Sequence, residues 1–566
     1  ETYGEDPFLT SAIGTAFVKG LQGDDPNYLK ASACAKHYVV HSGPEKSRHH
    51  FNAVPDEIDF RETYLPAFRE LVKADVEAIM CAYNRTYDVP CCGSPYLLKD
   101  ILKDDYGFKG HIVSDCWALD DIWARHKVME TRFQAAAMAV KAGVNLNCGY
   151  IYKYIPEAVS LKMISEEEVD NVLEPLLRSR FRLGLFDPEG YHPYSQIPPE
   201  VVNCDKHKEL ARLAAEKSII LLKNNGALPL DEDSIKGLFV TGPMAADLAV
   251  LAGNYNGYSG EMVSFLEGIV ERAGPAIVVY HTTGVLLNND SIFYGLWHAG
   301  FADVVIAVVG NNRLLEGEEG DAMLNVNGGD REKIELAGNQ LAYLKKLREN
   351  IGDKKLIVVV SGGSAIAMPE VEALADAILF TWYPGEQGGN ALARVLFGDV
   401  SPAGRLPITF YNSTSDLPPF EDYSMQGRTY RYFEGTPQYD FGYGLSYSTF
   451  DYANMNLIFN QDEGMQKLEV KVSIRNASDL DGEEVIQIYT RYPKPGIRNP
   501  IKSLIGFKRV FIPAGETIVV NIPLSIDFIK RWDINKQAYI LVEGEYIFEA
   551  GASSDDIRLT TSVRMP

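Results

Sequence analysis

No unbroken apolar run in the chain reaches the roughly 18 residues that a membrane-spanning helix needs, which argues for a soluble protein. Basic residues are in short supply. Fifty-four Lys and Arg stand against 77 Asp and Glu, a formal charge of -23 that would repel a phosphate backbone and an anionic membrane surface alike. Neither nucleic acid nor membrane is therefore expected as a partner, and a neutral or cationic small molecule fits better. Cysteine is sparse as well: seven residues, at 34, 81, 91, 92, 116, 148 and 204. None shows the paired C-x2-C spacing of a zinc site, and an odd count argues against a complete disulfide framework. Buried thiols are the expected state, with the Cys91-Cys92 pair undecided. A P-loop, a Rossmann glycine fingerprint and a G-x-S-x-G elbow are all missing, and VSGGSA at 360–365 matches neither phosphate motif. With no metal-ligand cluster either, no metal and no cofactor are expected. A signal peptide is not visible, but the chain opens on ETYGEDPFLT without an initiator Met, so the compartment stays open.

What is present is an ordinary globular composition, 46% hydrophobic and 23% charged, over 566 residues. That length exceeds a single core and suggests roughly three or four domains. Over residues 1–190, short strand-like runs (ASACAKHY, EAIMCAYN, GHIVSD, GVNLNC) alternate with amphipathic helical stretches, the pattern of a parallel sheet of βα units. TRFQAAAMAVKAG, 131–143, reads as a helix closed by glycine. Another starts at Ser165, with a capping box to Glu168, and carries Val169, Val172, Leu173, Leu176, Leu177 and Phe181 at helical spacing. Pro175 inside it predicts a kink or a break. DPEGYHPYSQIPPE, residues 187–200, reads as linker, and the boundary between the domains is drawn at 191–204. A helix through LARLAAEKSIILLK then opens a second α/β domain, 205–412, whose strands (SIKGLFVTG, AIVVYHT, ADVVIAVVG, KLIVVVSGG, AILFTWYPG) are apolar throughout and so buried on both faces. After a connecting segment, 413–465, the apolar period becomes two, as in KLEVKVSIRN. This predicts an antiparallel β-sandwich over 466–566.

In a parallel α/β barrel, chemistry sits where strands end and βα loops begin. Three polar groups of the first domain fall there: Lys36 and His37, then Tyr83-Asn84-Arg85, then Asp115 in GHIVSDCW. Each alone could merely cap a buried strand; three on one rim point to a pocket. In the second domain, LLEGEEGDA (314–322) places Glu316, Glu318, Glu319 and Asp321 after a strand, where open α/β sheets bind ligands. An ionised carboxylate and a protonated one in unlike environments are what glycoside hydrolysis requires. Lys36 and His37 would hold sugar hydroxyls and keep the nucleophile ionised. His41, Glu45, Arg48 and His49 could reach hydroxyls or simply form a polar loop. Trp117 is either an apolar wall for a sugar or core packing, and Arg331 most simply opens a helix.

Blocks along nearly the whole chain resemble glycoside hydrolase family 3: ETYGEDPFL, KHYVVHSGPEKSRHHFNA, MCAYNRTYDVPCC, VSDCWAL, KNNGALPL, WYPGEQGGNALARVLFGDVSPAGRLPITFY, RTYRYFEGTPQYDFGYGLSYSTF and SLIGFKRVFIPAGE, in the family's order. KHYVVHSGPE and LLEGEEGDA look most similar to bacterial β-xylosidase-like members. The resemblance implies a (β/α)8-type barrel, an α/β sandwich and a fibronectin type III-like domain. It also implies a retaining mechanism through a covalent glycosyl-enzyme. Asp115 matches the family nucleophile, and Lys36, His37 and Tyr83 match positions lining the sugar subsite. On the E-x-E-G pattern Glu318 takes the acid/base position, with Glu319 the alternative one residue away; Arg48, His49 and Trp117 are secondary candidates. A family segment like GRDPRWGR, which normally precedes ETYGEDP, is missing together with the first barrel strands. The PGHG-like loop of the N-acetylglucosaminidase branch is missing too. The expected activity is exo-β-1,4-xylosidase on xylo-oligosaccharides or aryl glycosides. The alternatives are a β-glucosidase, an α-L-arabinofuranosidase side activity, or an inactive carbohydrate-binding remnant. The resemblance favours a periplasmic or extracellular location and leaves homo-oligomerisation open.

Overall fold

The computed structural model describes residues 3–565 except 255, 258, 288–291, 326–327, 463–464 and 494–498, and describes no side chains over 460–467. The chain divides into two compact units: residues 1–199 with 418–426 and 531–540, and residues 200–417 with 427–530 and 541–566.

The first unit is built around three parallel strands, β1 (Cys34–Tyr38), β2 (Ala78–Cys81) and β3 (His111–Ser114), side by side in that order. GVNLNC contributes only one parallel bridging residue, Leu146 opposite Val113, instead of a strand. Among the described residues the sheet is thus an open arc, not a closed barrel. Helix α1 (Arg132–Ala142) has both predicted ends: a Thr131–Gln134 capping box, and Gly143 at φ 97°, a left-handed position that favours glycine. Helix α2 (Glu166–Arg182) starts at the Ser165–Glu168 box and runs unbroken through Pro175, so the predicted break does not occur. Its expected buried face is only partly buried, with Leu173 and Phe181 exposed. What anchors it is polar. Ser179 donates to Glu77 at 2.5 Å and lies 2.8 Å from His111 Nδ1, and Arg182 pairs with Glu77. This network lies at the N-terminal ends of β2 and β3, the end of a parallel sheet that serves stability and not chemistry.

Two disulfides, Cys81–Cys92 and Cys116–Cys148, correct the expectation of buried thiols; Cys34, Cys91 and Cys204 are free. An odd total left room for two bridges and three thiols, and the pairs, 11 and 32 residues apart, are brought together at the strand ends by the fold and not by a C-x2-C spacing.

In the second unit, helix α3 (Asp205–Ser218) stops before IILLK, which forms β4 (Ile220–Asn224) instead of continuing the helix. The run of branched and apolar residues favours a buried strand over a helical face. With β5 (Gly237–Thr241), β6 (Val278–Thr282), β7 (Val304–Gly310), β8 (Lys355–Ser361) and β9 (Ala377–Phe380) it makes a six-stranded sheet in the order β4-β9-β8-β7-β5-β6. All pairings are parallel except that of β4 with β9. Alternation along β7 divides the core: Ile306 and Val308 pack in one apolar cluster, Val305, Ala307 and Val309 in the other. Seven strands between Phe450 and Met565 form a three-stranded and a four-stranded antiparallel sheet over one core that includes Val470, Val472, Ile488 and Phe548, the predicted sandwich.

Candidate active site

Strand ends of the first unit converge on Asp115. Its backbone N–H donates to Cys81 O at 3.1 Å, prolonging the β2–β3 pairing by one step and setting the carboxylate just past the strand. The next residues turn sharply. Trp117 sits at φ 69°, left-handed and strained for a side chain of that size. The turn is held by Trp117 N–H to Cys148 O at 2.8 Å, by Cys148 N–H to Ser114 Oγ at 3.0 Å and by the Cys116–Cys148 bridge.

Asp115 is 6% exposed. Its Oδ1 accepts from Cys116 N–H at 2.8 Å, and Oδ2 lies 3.3 Å from His37 Nε2. Burial pushes its pKa up to about 6, against the lowering influence of the Cys116 amide, Tyr83, Lys36 and Arg48. His37 stacks on His41, ring centroids 4.1 Å apart. Burial holds His41 well below the usual histidine range, so it is neutral, with neighbouring His37, Arg48 and Lys36 adding to the effect. Arg48 is buried, 3.4 Å from Glu45, and lies over the Tyr83 ring at 5.5 Å. His49 packs edge-on against Tyr83 at 4.9 Å and places Nδ1 2.7 Å from Asp121. Asn84 braces two of the converging loops, donating to Val40 O and to Arg85 O, each at 3.0 Å. Trp117 is 48% exposed and packs against Tyr150 at 5.1 Å, so it is not core packing.

Lys36, His37, Tyr83 and Arg48 therefore gather around the Asp115 carboxylate, while His49, packed on Tyr83, pairs with Asp121. Sequence reasoning left His41 open between a sugar contact and a polar loop, because a histidine three residues past a strand carries no signal of the ring that will stack on it.

The acidic loop belongs to the second unit. It begins where β7 ends on Gly310, at φ 129° and so close to Ser361 that a Cβ would collide with its backbone. Its four acids have unlike fates. Glu316 is saturated. It accepts from Tyr383 OH at 2.6 Å, Asn311 Nδ2 at 3.1 Å, Ser364 Oγ at 3.2 Å and the Gly363 N–H, and pairs with Arg331 Nε at 2.9 Å. Arg331 also donates to Ser364 Oγ at 2.6 Å and Ala365 O at 3.0 Å. It braces this loop and does not open a helix, the next one (Gln340–Ile351) starting nine residues on. The Glu318 side chain is half-buried and meets no hydrogen-bonding or ionic partner among the described residues, while Glu319 and Asp321 are exposed.

Residues 1–179 match the glycosyl hydrolase family 3 N-terminal domain, 219–447 its C-terminal domain, and 484–554 a fibronectin type III-like domain. The chain is 34% identical to a xylan 1,4-beta-xylosidase of Xylanibacter ruminicola, over 98% of this chain and 81% of that protein. A GH3 exo-beta-xylosidase solved in complex with a xylobiose aziridine activity-based probe superposes with a TM-score of 0.89 at 27% identity, covering 100% of this chain and 76% of that one. A β-glucosidase from Erythrobacter marinus superposes with a TM-score of 0.88 at 30% identity, covering 100% and 78%.

Proposed function

Because the chain belongs to glycoside hydrolase family 3, a family of retaining glycosidases, we propose that it is an exo-acting β-1,4-xylosidase with Asp115 as nucleophile and Glu318 as acid/base. The observation that carries the nucleophile is the buried carboxylate at the end of β3, 3.3 Å from His37 and ringed by Lys36, Arg48 and Tyr83. Asp115 attacks the anomeric carbon as the glycosidic bond breaks, and the leaving oxygen takes a proton from Glu318. Glu318, now a carboxylate, deprotonates a water that attacks the same carbon, breaks the glycosyl ester and frees the sugar with its configuration retained. Glu316 is excluded from this role by its partners, since an acid/base must exchange its proton freely. Glu318 has the freedom that Glu316 lacks, and Glu319 stands one residue beyond it.

Lys36 and His37 are assigned to sugar hydroxyls, as are Tyr83, Arg48 and His49, with Trp117 as an apolar wall. The parallel arc is read as part of a (β/α)8-type barrel, and the two disulfides fit an oxidising compartment, periplasmic or extracellular. The second reading, a β-glucosidase, rests on the β-glucosidase structure above.

The test is kinetic. Aryl β-xyloside should be turned over with a higher kcat/KM than aryl β-glucoside, the first-formed sugar should show the β-anomer by NMR, and Asp115→Ala should abolish turnover. Inversion would remove Asp115 from the nucleophile role; a preference for glucoside would select the second reading. Glu318→Ala should slow substrates with poor leaving groups far more than activated ones, and azide should restore part of the rate. That pattern in Glu319→Ala instead would move the acid/base by one residue.

A further inference from the structure

We propose that His37, His41 and Asp115 form a reversible site for a divalent transition-metal ion of the Zn²⁺, Ni²⁺ or Cu²⁺ class, and that its occupancy inhibits the enzyme by tying up the carboxylate at Asp115. The inhibition, though not the binding, rests on the nucleophile role given to Asp115 above.

The argument is geometric. Each of the three residues offers one ligand atom, and these atoms lie within 4.8 Å of one another. Tetrahedral zinc with bonds of about 2.0–2.2 Å holds neighbouring ligand atoms roughly 3.3–3.5 Å apart. His37 Nε2 and Asp115 Oδ2 already stand at 3.3 Å. The His37 and His41 rings are inclined by only 19°, with centroids 4.1 Å apart, so small rotations about their side-chain bonds turn a nitrogen of each toward a common point. The third observation is an unmet need: His41 Nε2 is buried and has no hydrogen-bond partner among the described residues, a rare condition for an interior polar atom. An ion would satisfy it.

Donor chemistry selects the ion. Two imidazoles and one carboxylate, with a fourth position open to water, suit zinc and its neighbours in the transition series, whereas Ca²⁺ and Mg²⁺ take oxygen ligands. Two groups oppose binding. Lys36 and Arg48 are close enough to act on both Asp115 and His41, and their charges weaken the hold on any cation. The ion is accordingly an inhibitor that comes and goes, not a resident cofactor. The chain's formal charge of -23 favours its approach.

The experiment uses the full chain and two readouts. Co²⁺ is titrated in while its visible d–d absorption is followed, and Zn²⁺ inhibition of aryl-xyloside hydrolysis is measured with and without EDTA. A low-coordinate Co²⁺ spectrum displaced by Zn²⁺, and inhibition that EDTA reverses and Mg²⁺ does not reproduce, are expected. His41→Gln should weaken both by at least about ten-fold, the loss that even outer-sphere changes bring. Asp115→Asn, where rates cannot be read, should weaken the Co²⁺ spectrum. A double Cys34→Ser, Cys204→Ser variant should keep full sensitivity. Equal sensitivity in His41→Gln and the parent, or loss of sensitivity in the cysteine variant, would overturn the site. Binding that depends on His41 but leaves hydrolysis untouched would uphold the site and overturn the nucleophile role of Asp115 instead.

Discussion

In the nucleophile role proposed for it, Asp115 must be an anion where burial resists anions. Its carboxyl pKa of about 6 is the balance of desolvation against the Cys116 amide, Tyr83, Lys36 and Arg48. Two outcomes follow for the intact protein. A nucleophile must be ionised, so kcat/KM should fall with an apparent pKa near 6 as pH drops, and Lys36→Met should shift that limb to higher pH by removing a charge that lowers the value. The stability effect has the opposite sense. The folded pKa lies above the ordinary 3.8, so the fold favours the protonated acid. Stability from this group is full below about pH 4 and is lost as pH rises through about 6. Asp115→Asn should therefore raise the melting temperature at pH 7.5, and the gain should shrink towards pH 4. A variant no more stable than the parent at pH 7.5 would contradict the strain assigned to this carboxylate. At this scale the sequence was informative where a residue's place follows from its strand: Asp115 and Tyr83 stand just past strand ends, and His37 is the last residue but one of β1. It read Glu316 only as one acid of a loop and Arg331 as the start of a helix, because the partners that lock them, Ser364 and Tyr383, arrive from other strand ends.

Among elements, the turn from β3 is the one whose shape most concerns chemistry. A left-handed tryptophan costs on the order of 1–3 kcal/mol, and the turn keeps it through links to the single segment around Cys148. One of those links is a disulfide with an accessible half, since Cys116 is exposed, whereas Cys81 and Cys92 are buried. Mild reductant should thus open Cys116–Cys148 first, as alkylation and mass spectrometry would report. With the bridge open, kcat should fall more than KM rises, because the turn that loosens carries the proposed nucleophile and not the side chains from β1 and β2 assigned above to the sugar. Cys116→Ser with Cys148→Ser should reproduce the effect without reductant. Unchanged kcat in the double variant would leave the bridge a stabilising clasp only. No spacing rule in the sequence names this pair; it depends on Leu146 pairing beside Val113, which brings Cys148 alongside the turn.

On the scale of the molecule, periodicity located most of the architecture, and what it missed was chain that leaves one body to complete another. The apolar alternation from residue 466 onward reads as one sandwich, yet 531–540 belongs with the first unit, as does 418–426. RWDINKQAYI is a short two-stranded hairpin, and its attachment is polar, which a hydrophobic pattern does not register. Arg531 Nε lies 2.8 and 2.9 Å from the two Glu62 oxygens, Trp532 N–H donates to Glu62 at 2.7 Å, and Trp532 Nε1 donates to Glu57 at 3.0 Å. The Arg61 guanidinium covers the Trp532 ring at 4.5 Å. Arg531 and Glu62 are both buried, and removing one partner of such a pair costs about 3–5 kcal/mol because it strands the other charge. Arg531→Ala should therefore speed hydrogen exchange in the helical residues 57–73, which carry Glu57 and Glu62. Replacing both partners, Arg531→Met with Glu62→Met, should recover much of the protection, since no buried charge is left alone. If exchange over 57–73 is the same in Arg531→Ala as in the parent, the hairpin rests on the first unit without supporting it. Loss of protection in both variants alike would assign the support to Trp532 and its contacts with Glu57 and Arg61 instead.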